Sequence, residues 1–172
     1  MKQRIKTQSR GFLLVEAMVS MSVLMIGVLG IFALMSQSIK LTRTINDQYV
    51  ATYLAAEGIE IVKNMIDSNV LTDPGAWNAN GFDASACYEL YYGTDSLGSA
   101  WTVSCDGSGA TPLAFDGSLY GYGGGDASGF TRTVRIAPIM DGVQVGVRVR
   151  STIHWSGGEQ QFALEDTFYA WH

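Results

Sequence analysis

The chain has 172 residues and a formal net charge of −5, and this length suits one compact domain with one additional segment. Four of its eleven basic residues lie in the first ten positions: Lys2, Arg4, Lys6 and Arg10. The rest of the chain has seven basic and sixteen acidic residues, a balance of −9. Such an acidic chain is not expected to bind nucleic acid, because that affinity depends on Lys and Arg side chains that neutralise phosphates.

The first predicted element is an apolar helix. The 25 residues from Phe12 to Ser36 include only four polar side chains, namely Glu16, Ser20, Ser22 and Ser36. A helix of this length measures roughly 37 Å, which exceeds the hydrocarbon core of a bilayer at about 30 Å. A secretory signal peptide would have an apolar region of about 7 to 15 residues and a small-residue cleavage site. The sequence therefore predicts a membrane span, and the positive-inside rule places residues 1–10 in the cytoplasm.

Glu16 lies near the start of this apolar run, where an ionised carboxylate is costly and usually has a partner or a function. Two interpretations are open. The side chain either lies shallow enough to reach the lipid headgroups, or it marks a partner or a function. The residues that surround it bear on this choice.

The residues from Gly11 to Ile31, GFLLVEAMVSMSVLMIGVLGI, follow a short basic leader and resemble the class III signal of type IV prepilins. Within that family the sequence is most similar to the PilV-type minor pilins and to their relatives, the type II secretion pseudopilins. The resemblance implies that prepilin peptidase cuts after Gly11 on the cytoplasmic face and that the new N-terminal Phe12 is methylated. It also implies that Glu16 neutralises the Phe12 amine of a neighbouring subunit inside a filament.

The helix is predicted to continue beyond the membrane, because apolar residues recur at helical spacing between Asn46 and Asn69. This stripe consists of Val50, Leu54, Ile61 and Met65, with Tyr53, Val62 and Ile66 beside them. Helix breakers between Asp67 and Trp77 predict its end. Glu57 and Glu60 are expected on a solvated face, with Lys63 as the i+3 partner of Glu60.

The region after the helix is rich in Gly, Ser and Asp and contains both cysteines. Cys87 and Cys105 flank two short predicted strands around a glycine-containing turn. A disulfide is favoured if the domain is exported, and two unpaired buried thiols are the alternative. The stretch from Asp116 to Gly129 lacks the Lys of a phosphate loop and the alternating oxygen ligands of an EF-hand. It is expected to be a mobile surface loop with Tyr120 and Tyr122 exposed.

The C-terminal part of the chain alternates between apolar and polar side chains, as expected for an antiparallel meander. Three strands are predicted, at Phe130 to Pro138, Val143 to Trp155 and Gln160 to Trp171. The predicted interior residues are Phe130, Val134 and Ile136 in the first strand, Val143, Val145, Val147, Val149, Ile153 and Trp155 in the second, and Phe162, Leu164 and Phe168 in the third. The predicted solvent face of the second strand consists of Gln144, Arg148, Arg150, Thr152 and His154.

Together these elements predict an α+β, pilin-like fold in which one long N-terminal helix packs on a C-terminal antiparallel β-sheet. The expected divisions are a leader at residues 1–11, a transmembrane half of the helix at 12–36, an amphipathic half at 37–68, a variable region with a hairpin at 69–129 and a meander at 130–172.

Catalytic and metal-binding motifs are not found in the sequence. Neither His154 nor His172 has a nucleophile or carboxylate at a spacing that suggests a triad, and the sequence contains no H-x-x-H or C-x-x-C pair. We therefore expect no enzyme activity, no metal and no cofactor. The resemblance implies a minor type IV pilin, with a type II secretion pseudopilin as the alternative.

The resemblance also implies a location and a set of partners. The protein would lie in the bacterial inner membrane as a single-pass protein, with its C-terminal domain outside, before it joins a cell-surface pilus. Its partners would be other pilin subunits, the prepilin peptidase/methyltransferase, and the pilus assembly platform with its ATPase.

Overall fold

The computed structural model describes residues 10–170, with side-chain surroundings from residue 12 onward. Residues 1–9, which form most of the expected leader, and Trp171 and His172 lie outside the described residues. The elements in chain order are α1 (Arg10–Thr72), β1 (Ala86–Glu89), β2 (Trp101–Thr102), β3 (Pro112–Phe115), β4 (Tyr120–Gly121), β5 (Asp126–Asp141), β6 (Val143–Trp155) and β7 (Gln160–Tyr169). The helix packs on an antiparallel sheet, so the predicted α+β class is confirmed.

The chain divides into two compact units, residues 1–46 and 47–172, and the described part of the first unit is helical throughout. Every described side chain from Phe12 to Asn46 is exposed. From Phe12 onward the helix is long and apolar enough to cross a membrane. Its length and composition thus agree with the predicted span.

In the second unit, the helix residues from Asp47 to Thr72 bury one face against the sheet. The buried side chains recur at amphipathic spacing: Ala51, Leu54, Ala55, Ile59, Ile61, Val62, Met65 and Ile66. The predicted stripe is confirmed except at Tyr53, which is 61% exposed. At about 100° per residue, Tyr53 lies roughly 200° around the helix from Ala51 and therefore on the opposite face.

The sheet is organised around β5, which pairs with β1, β3 and β6, while β6 also pairs with β7. The predicted meander is confirmed as β5, β6 and β7, with β6 at its predicted bounds. β5 begins four residues earlier than predicted, at Asp126. The reason is its pairing with β3, a short strand that the Gly- and Ser-rich sequence does not reveal.

A β-bulge near the turn between β5 and β6 changes which side chains face the interior. The register skips Val145, which is therefore an extra residue on β6. One extra residue reverses the alternation of the side chains that precede it. Val143, predicted to be interior, is 69% exposed. Gln144, predicted to face solvent, is half-buried and donates from Nε2 to the Phe82 carbonyl at 2.7 Å.

The other interior assignments hold where the helix covers the sheet. Among the predicted interior residues, those without exposed surface are Val134 and Ile136 of β5 and Val147, Val149 and Ile153 of β6. β7 pairs only with β6, and its predicted interior residues are less covered. Phe162 and Phe168 are half-buried, and Leu164 is 36% exposed.

The helix approaches β6 closely at Gly58, which is buried. A Cβ atom at this position would overlap the Ser151 Oγ and would lie 3.2 Å from both the Ser151 Cβ and the Arg132 Cδ. Ser151 and Arg132 are themselves fully buried. Glycine at this position therefore allows the helix and the sheet to come together.

We predict that Gly58→Ala lowers the free energy of unfolding by about 1 to 3 kcal/mol, because the added methyl overpacks this contact. That cost exceeds the gain in helix propensity, which is about 1 kcal/mol. Thermal unfolding of the purified chain in detergent, followed by near-ultraviolet circular dichroism, measures the change. Ser151→Ala removes the clashing Oγ and should restore part of the loss in the double variant. Strictly additive losses would contradict this account of the contact.

Candidate functional site

The residues that the prepilin resemblance assigns to processing and assembly lie at the start of α1. Gly11 is helical, and Phe12, which follows it, is 72% exposed. Glu16 is also exposed and lies four residues after Phe12, so the two side chains are one helical turn apart on the same face. Cleavage after Gly11 and pairing of Glu16 between subunits stay predictions.

The helix that carries these residues has an apolar surface that is exposed on all sides. Between Phe12 and Ile45, twenty large apolar side chains are each at least 42% exposed. A Cβ atom at Gly27 or Gly30 would have no neighbour within 4 Å, so neither glycine serves packing inside the chain. Monomeric soluble proteins rarely expose contiguous apolar patches above a few hundred Å². A surface of this kind needs lipid or the apolar helices of other molecules.

The structure joins Cys87 and Cys105 in a disulfide, with their Cα atoms 5.3 Å apart. Cys87 is buried in β1, and Cys105 lies shortly after β2, which pairs with β1. The Val103 backbone N–H donates to the Cys87 carbonyl at 2.9 Å and continues that pairing. The predicted disulfide is therefore confirmed, and the alternative of two unpaired thiols is wrong.

Arg132 is a buried cation that the sequence analysis did not predict. It lies on β5 and has no exposed surface. Its Nε donates to the Leu90 carbonyl at 3.0 Å, and Nη2 donates to the same carbonyl. Its Nη1 donates to the Leu54 carbonyl at 3.2 Å and to Glu57 Oε2 at 2.9 Å. One guanidinium thus connects the helix, β5 and the segment that follows β1.

The prediction of a solvated face is wrong for Glu57 and correct for Glu60. The Glu57 side chain is 32% exposed and pairs with the buried Arg132. Glu60 and Lys63 form the predicted i+3 pair at 3.5 Å, and both side chains are exposed. The difference arises because Glu57 lies at the border of the buried stripe, where β5 supplies a cation.

Two signals in the sequence point to this ion pair. Arg132 alternates with Phe130 and Val134, so the period of two places it on the interior face of its strand. Glu57 lies three residues after Leu54, a spacing that places it near the helix stripe. A buried arginine needs a carboxylate or carbonyl partner, and the position of such a partner depends on how the helix and the sheet come together.

The stretch predicted to be a mobile loop with exposed tyrosines is more ordered than expected. Tyr120 belongs to β4, which pairs with β3, and both Tyr120 and Tyr122 are half-buried. The centroid of the Tyr122 ring lies 6.0 Å from those of Tyr91 and Trp101, in edge geometry. Burial is the main reason that the pKa of the Tyr122 hydroxyl lies above its usual value.

Within the Gly-rich stretch, backbone N–H groups donate hydrogen bonds to the Asp116 carboxylate. Asp116 Oδ1 accepts hydrogen bonds from the backbone N–H of Leu119 at 2.9 Å and of Ser118 at 2.8 Å. These hydrogen bonds lower the pKa of Asp116. In the part of the chain that the structure describes, no group of three or more His, Cys, Asp or Glu residues lies close enough to hold a metal ion.

We predict that Arg132→Met lowers the free energy of unfolding by about 3 kcal/mol or more, because it leaves the Leu90 carbonyl and Glu57 without their cationic partner. Glu57→Gln should cost less, since the amide still accepts a hydrogen bond from Arg132 and water reaches this side chain. Urea unfolding of the chain in detergent measures both values.

Arg148→Met is the matched control, because the exposed Arg148 pairs with Glu165 at 3.5 Å on the surface. Surface pairs contribute about 0 to 1 kcal/mol, so this variant should be close to wild type. Equal losses for Arg132→Met and Arg148→Met would show that the buried network has no special role in stability.

Comparisons with known proteins give no relative: the chain matches no protein-family model, no curated protein and no solved structure. The residues from Gly11 to Ile31 and the α+β fold are therefore the features from which its function is inferred.

Proposed function

We propose that the chain is a minor type IV pilin of the PilV type, a structural subunit that joins a pilus or primes its assembly. It is inserted in the bacterial inner membrane, with the leader in the cytoplasm and the disulfide-bonded domain outside. Prepilin peptidase cuts after Gly11, and Phe12 is N-methylated. The subunit then enters the filament through its helix, driven by the assembly platform and its ATPase. In this role it has no catalytic activity and no cofactor.

The observation that carries the proposal is the exposed apolar helix that contains Glu16. Burial of apolar surface is worth about 25 cal/mol per Å², so twenty exposed apolar side chains strongly favour an apolar environment. A bilayer supplies this environment before assembly, and the helices of other subunits supply it afterwards. The compact second unit carries its own core and a disulfide, which suits a domain that folds outside the cytoplasm.

Glu16 supports a filament rather than a permanent membrane anchor. Among the side chains of residues 12–170, it forms no ion pair. A carboxylate in an apolar helix is costly, and a cation from another molecule removes that cost. Cleavage after Gly11 creates such a cation, the amine of Phe12. Because Phe12 and Glu16 are one turn apart, an axial shift of about 6 Å between neighbouring helices, four residues at 1.5 Å, would bring the amine of one beside the carboxylate of the next.

We predict that Gly11→Val leaves the leader attached and blocks assembly, because the peptidase has to accommodate a small residue at the cut. Immunoblots should show a larger protein that remains in membranes and is missing from sheared filaments. N-terminal sequencing of the wild-type protein from filaments should begin at Phe12. A different first residue would contradict the assignment of the chain to the prepilin family.

We predict that Glu16→Val is inserted and cleaved normally but fails to enter the filament. Insertion should be unaffected or improved, because one costly charge leaves the bilayer. Assembly should fail because the Phe12 amine of the neighbour is left buried without a counter-charge, a loss of about 3 to 5 kcal/mol. The ratio of the protein in sheared filaments to the protein in membranes measures this loss.

Glu60→Val is the matched control, since it removes the same charge from an exposed position of the same helix. It should assemble as wild type does. Equal incorporation of Glu16→Val and Glu60→Val would disprove the charge-pair mechanism.

Mass spectrometry of the sheared material distinguishes the two filament systems, because a type II secretion pseudopilin would be recovered with pseudopilus subunits instead of pilins.

A further inference from the structure

The face of the sheet that points away from the helix has a polar cavity of about 330 Å³. We call it the outer-face cavity. Its floor consists of Thr133 and Arg135 of β5 and Arg150 and Thr152 of β6, with His154 and Gln161 at one end. Cys105 and Asp106 close one side, so the disulfide holds part of the wall in place.

Two arginines face each other across this floor. Arg135 and Arg150 are direct cross-strand partners, and both line the cavity. Like charges directly opposite each other destabilise a sheet. Neither guanidinium forms an ion pair with any carboxylate within residues 12–170. Two unpaired cations, Arg135 and Arg150, thus lie together in a chain that is acidic overall. A bound anion would stabilise this arrangement.

Thr133 gives a second, independent indication of a ligand. Its side chain lines the same cavity and is only 3% exposed. Its Oγ1 has no hydrogen-bond partner among the described residues. Most buried polar side-chain atoms have such a partner, and an unsatisfied hydroxyl is destabilising. A ligand with an acceptor oxygen in the cavity would satisfy it.

Two carboxylates lie near the arginines: Glu165, the cross-strand partner of Arg150, pairs with Arg148 at 3.5 Å, and Asp106 lines the cavity itself. The Asp106 Oδ1 accepts a hydrogen bond from the Ser108 backbone N–H at 2.8 Å. This and further hydrogen bonds within its own turn lower the pKa of Asp106 to about 2. The Asp106 carboxylate therefore already accepts hydrogen bonds from its own turn. Among the described residues, the cavity contains two guanidinium groups and only this one carboxylate.

We propose that the outer-face cavity binds a phosphate group, as free phosphate or as the monoester of a small molecule. A guanidinium donates paired N–H groups in a planar fork that suits the oxygens of phosphate. The hydroxyls of Thr133 and Thr152 and the amide of Gln161 supply further donors around the same space. The volume lies at the small end of the range for ligand pockets, which fits a small anion. The site is independent of the helix segment that carries the proposed assembly function.

Calorimetric titration of the full chain in an uncharged detergent tests this site with inorganic phosphate and with glycerol 3-phosphate as probes. Both titrations are run against sodium chloride at matched ionic strength, so that screening is the same. We expect saturable binding of at least one probe with a Kd of about 1 mM or tighter. The tighter of the two identifies the source as free phosphate or an ester. Phosphate should also raise the melting temperature, because it binds the folded state.

Three variants locate the binding. Arg135→Gln and Arg150→Gln should each weaken it by roughly tenfold or more, since each removes a charge-assisted hydrogen bond. Thr133→Val keeps the shape of the side chain and should weaken it by roughly two- to tenfold, while the phosphate-free melting temperature stays the same or rises. Lys63→Gln is the charge control, because Lys63 lies on the helix and outside the cavity, and it should bind as wild type does.

Any of three results would overturn the proposal. One is the lack of saturable binding of either probe by the wild-type chain. Another is an equal loss in Lys63→Gln and Arg150→Gln, which would mean that phosphate responds only to the overall charge. Unchanged binding in Thr133→Val would likewise remove the cavity as the site. Because none of these measurements involves filaments, failure here is distinct from failure of the proposed pilin function.

Discussion

The Arg132 guanidinium fixes how three segments of the second unit meet. It is fully buried on β5 and bonds to the helix at the Leu54 carbonyl and Glu57, and to the Leu90 carbonyl after β1. A buried cation without these partners would cost several kcal/mol. Displacement of any one segment is therefore unfavourable, because Arg132 would lose hydrogen bonds that it makes to that segment. Gly58 makes this arrangement possible, because it has no side chain at the point where the helix approaches the sheet beside Arg132. The apolar clusters on either side supply the bulk of the stabilisation, and the ion pair specifies the register of helix on sheet.

The first unit is governed by the opposite constraint, since its apolar side chains from Phe12 onward have no partner within it. Its described part is a helix whose side chains from Phe12 to Asn46 are all exposed. An element that is apolar all round belongs in lipid or among other apolar helices. For this reason the role in assembly is assigned to one charge, that of Glu16. In the apolar surface from Phe12 to Met35, Glu16 is the one charged side chain, and it is the feature most able to specify one position of a neighbouring subunit.

The two faces of the sheet carry different chemistry, and the disulfide belongs to the polar one. The inner face packs on the helix, whereas the outer face carries opposed arginines and a cavity beside Cys105. The Cys87–Cys105 bond therefore does more than close a chain segment with little regular structure. It also holds the Asp106 turn against the strands that line the cavity. The two proposals thus concern separate parts of one molecule: the helix for assembly and the outer sheet face for a small anion.

Local and periodic features of this protein could be read from its sequence. The apolar run from Phe12, the stripe on the continuing helix and the strand bounds of β6 follow from patterns of 3.6 and 2 residues, because burial on one face imposes those periods directly. The partners of Arg132, the role of Glu57, the reversal at Val143 and Gln144 and the opposition of Arg135 and Arg150 depend on which segments meet and in what register. These contacts join residues far apart in the chain. In addition, a bulge of one residue inverts the side-chain alternation on one side of it. A charged side chain is buried or solvated according to the partners that tertiary packing brings to it, and for that reason only the tertiary structure decided these positions.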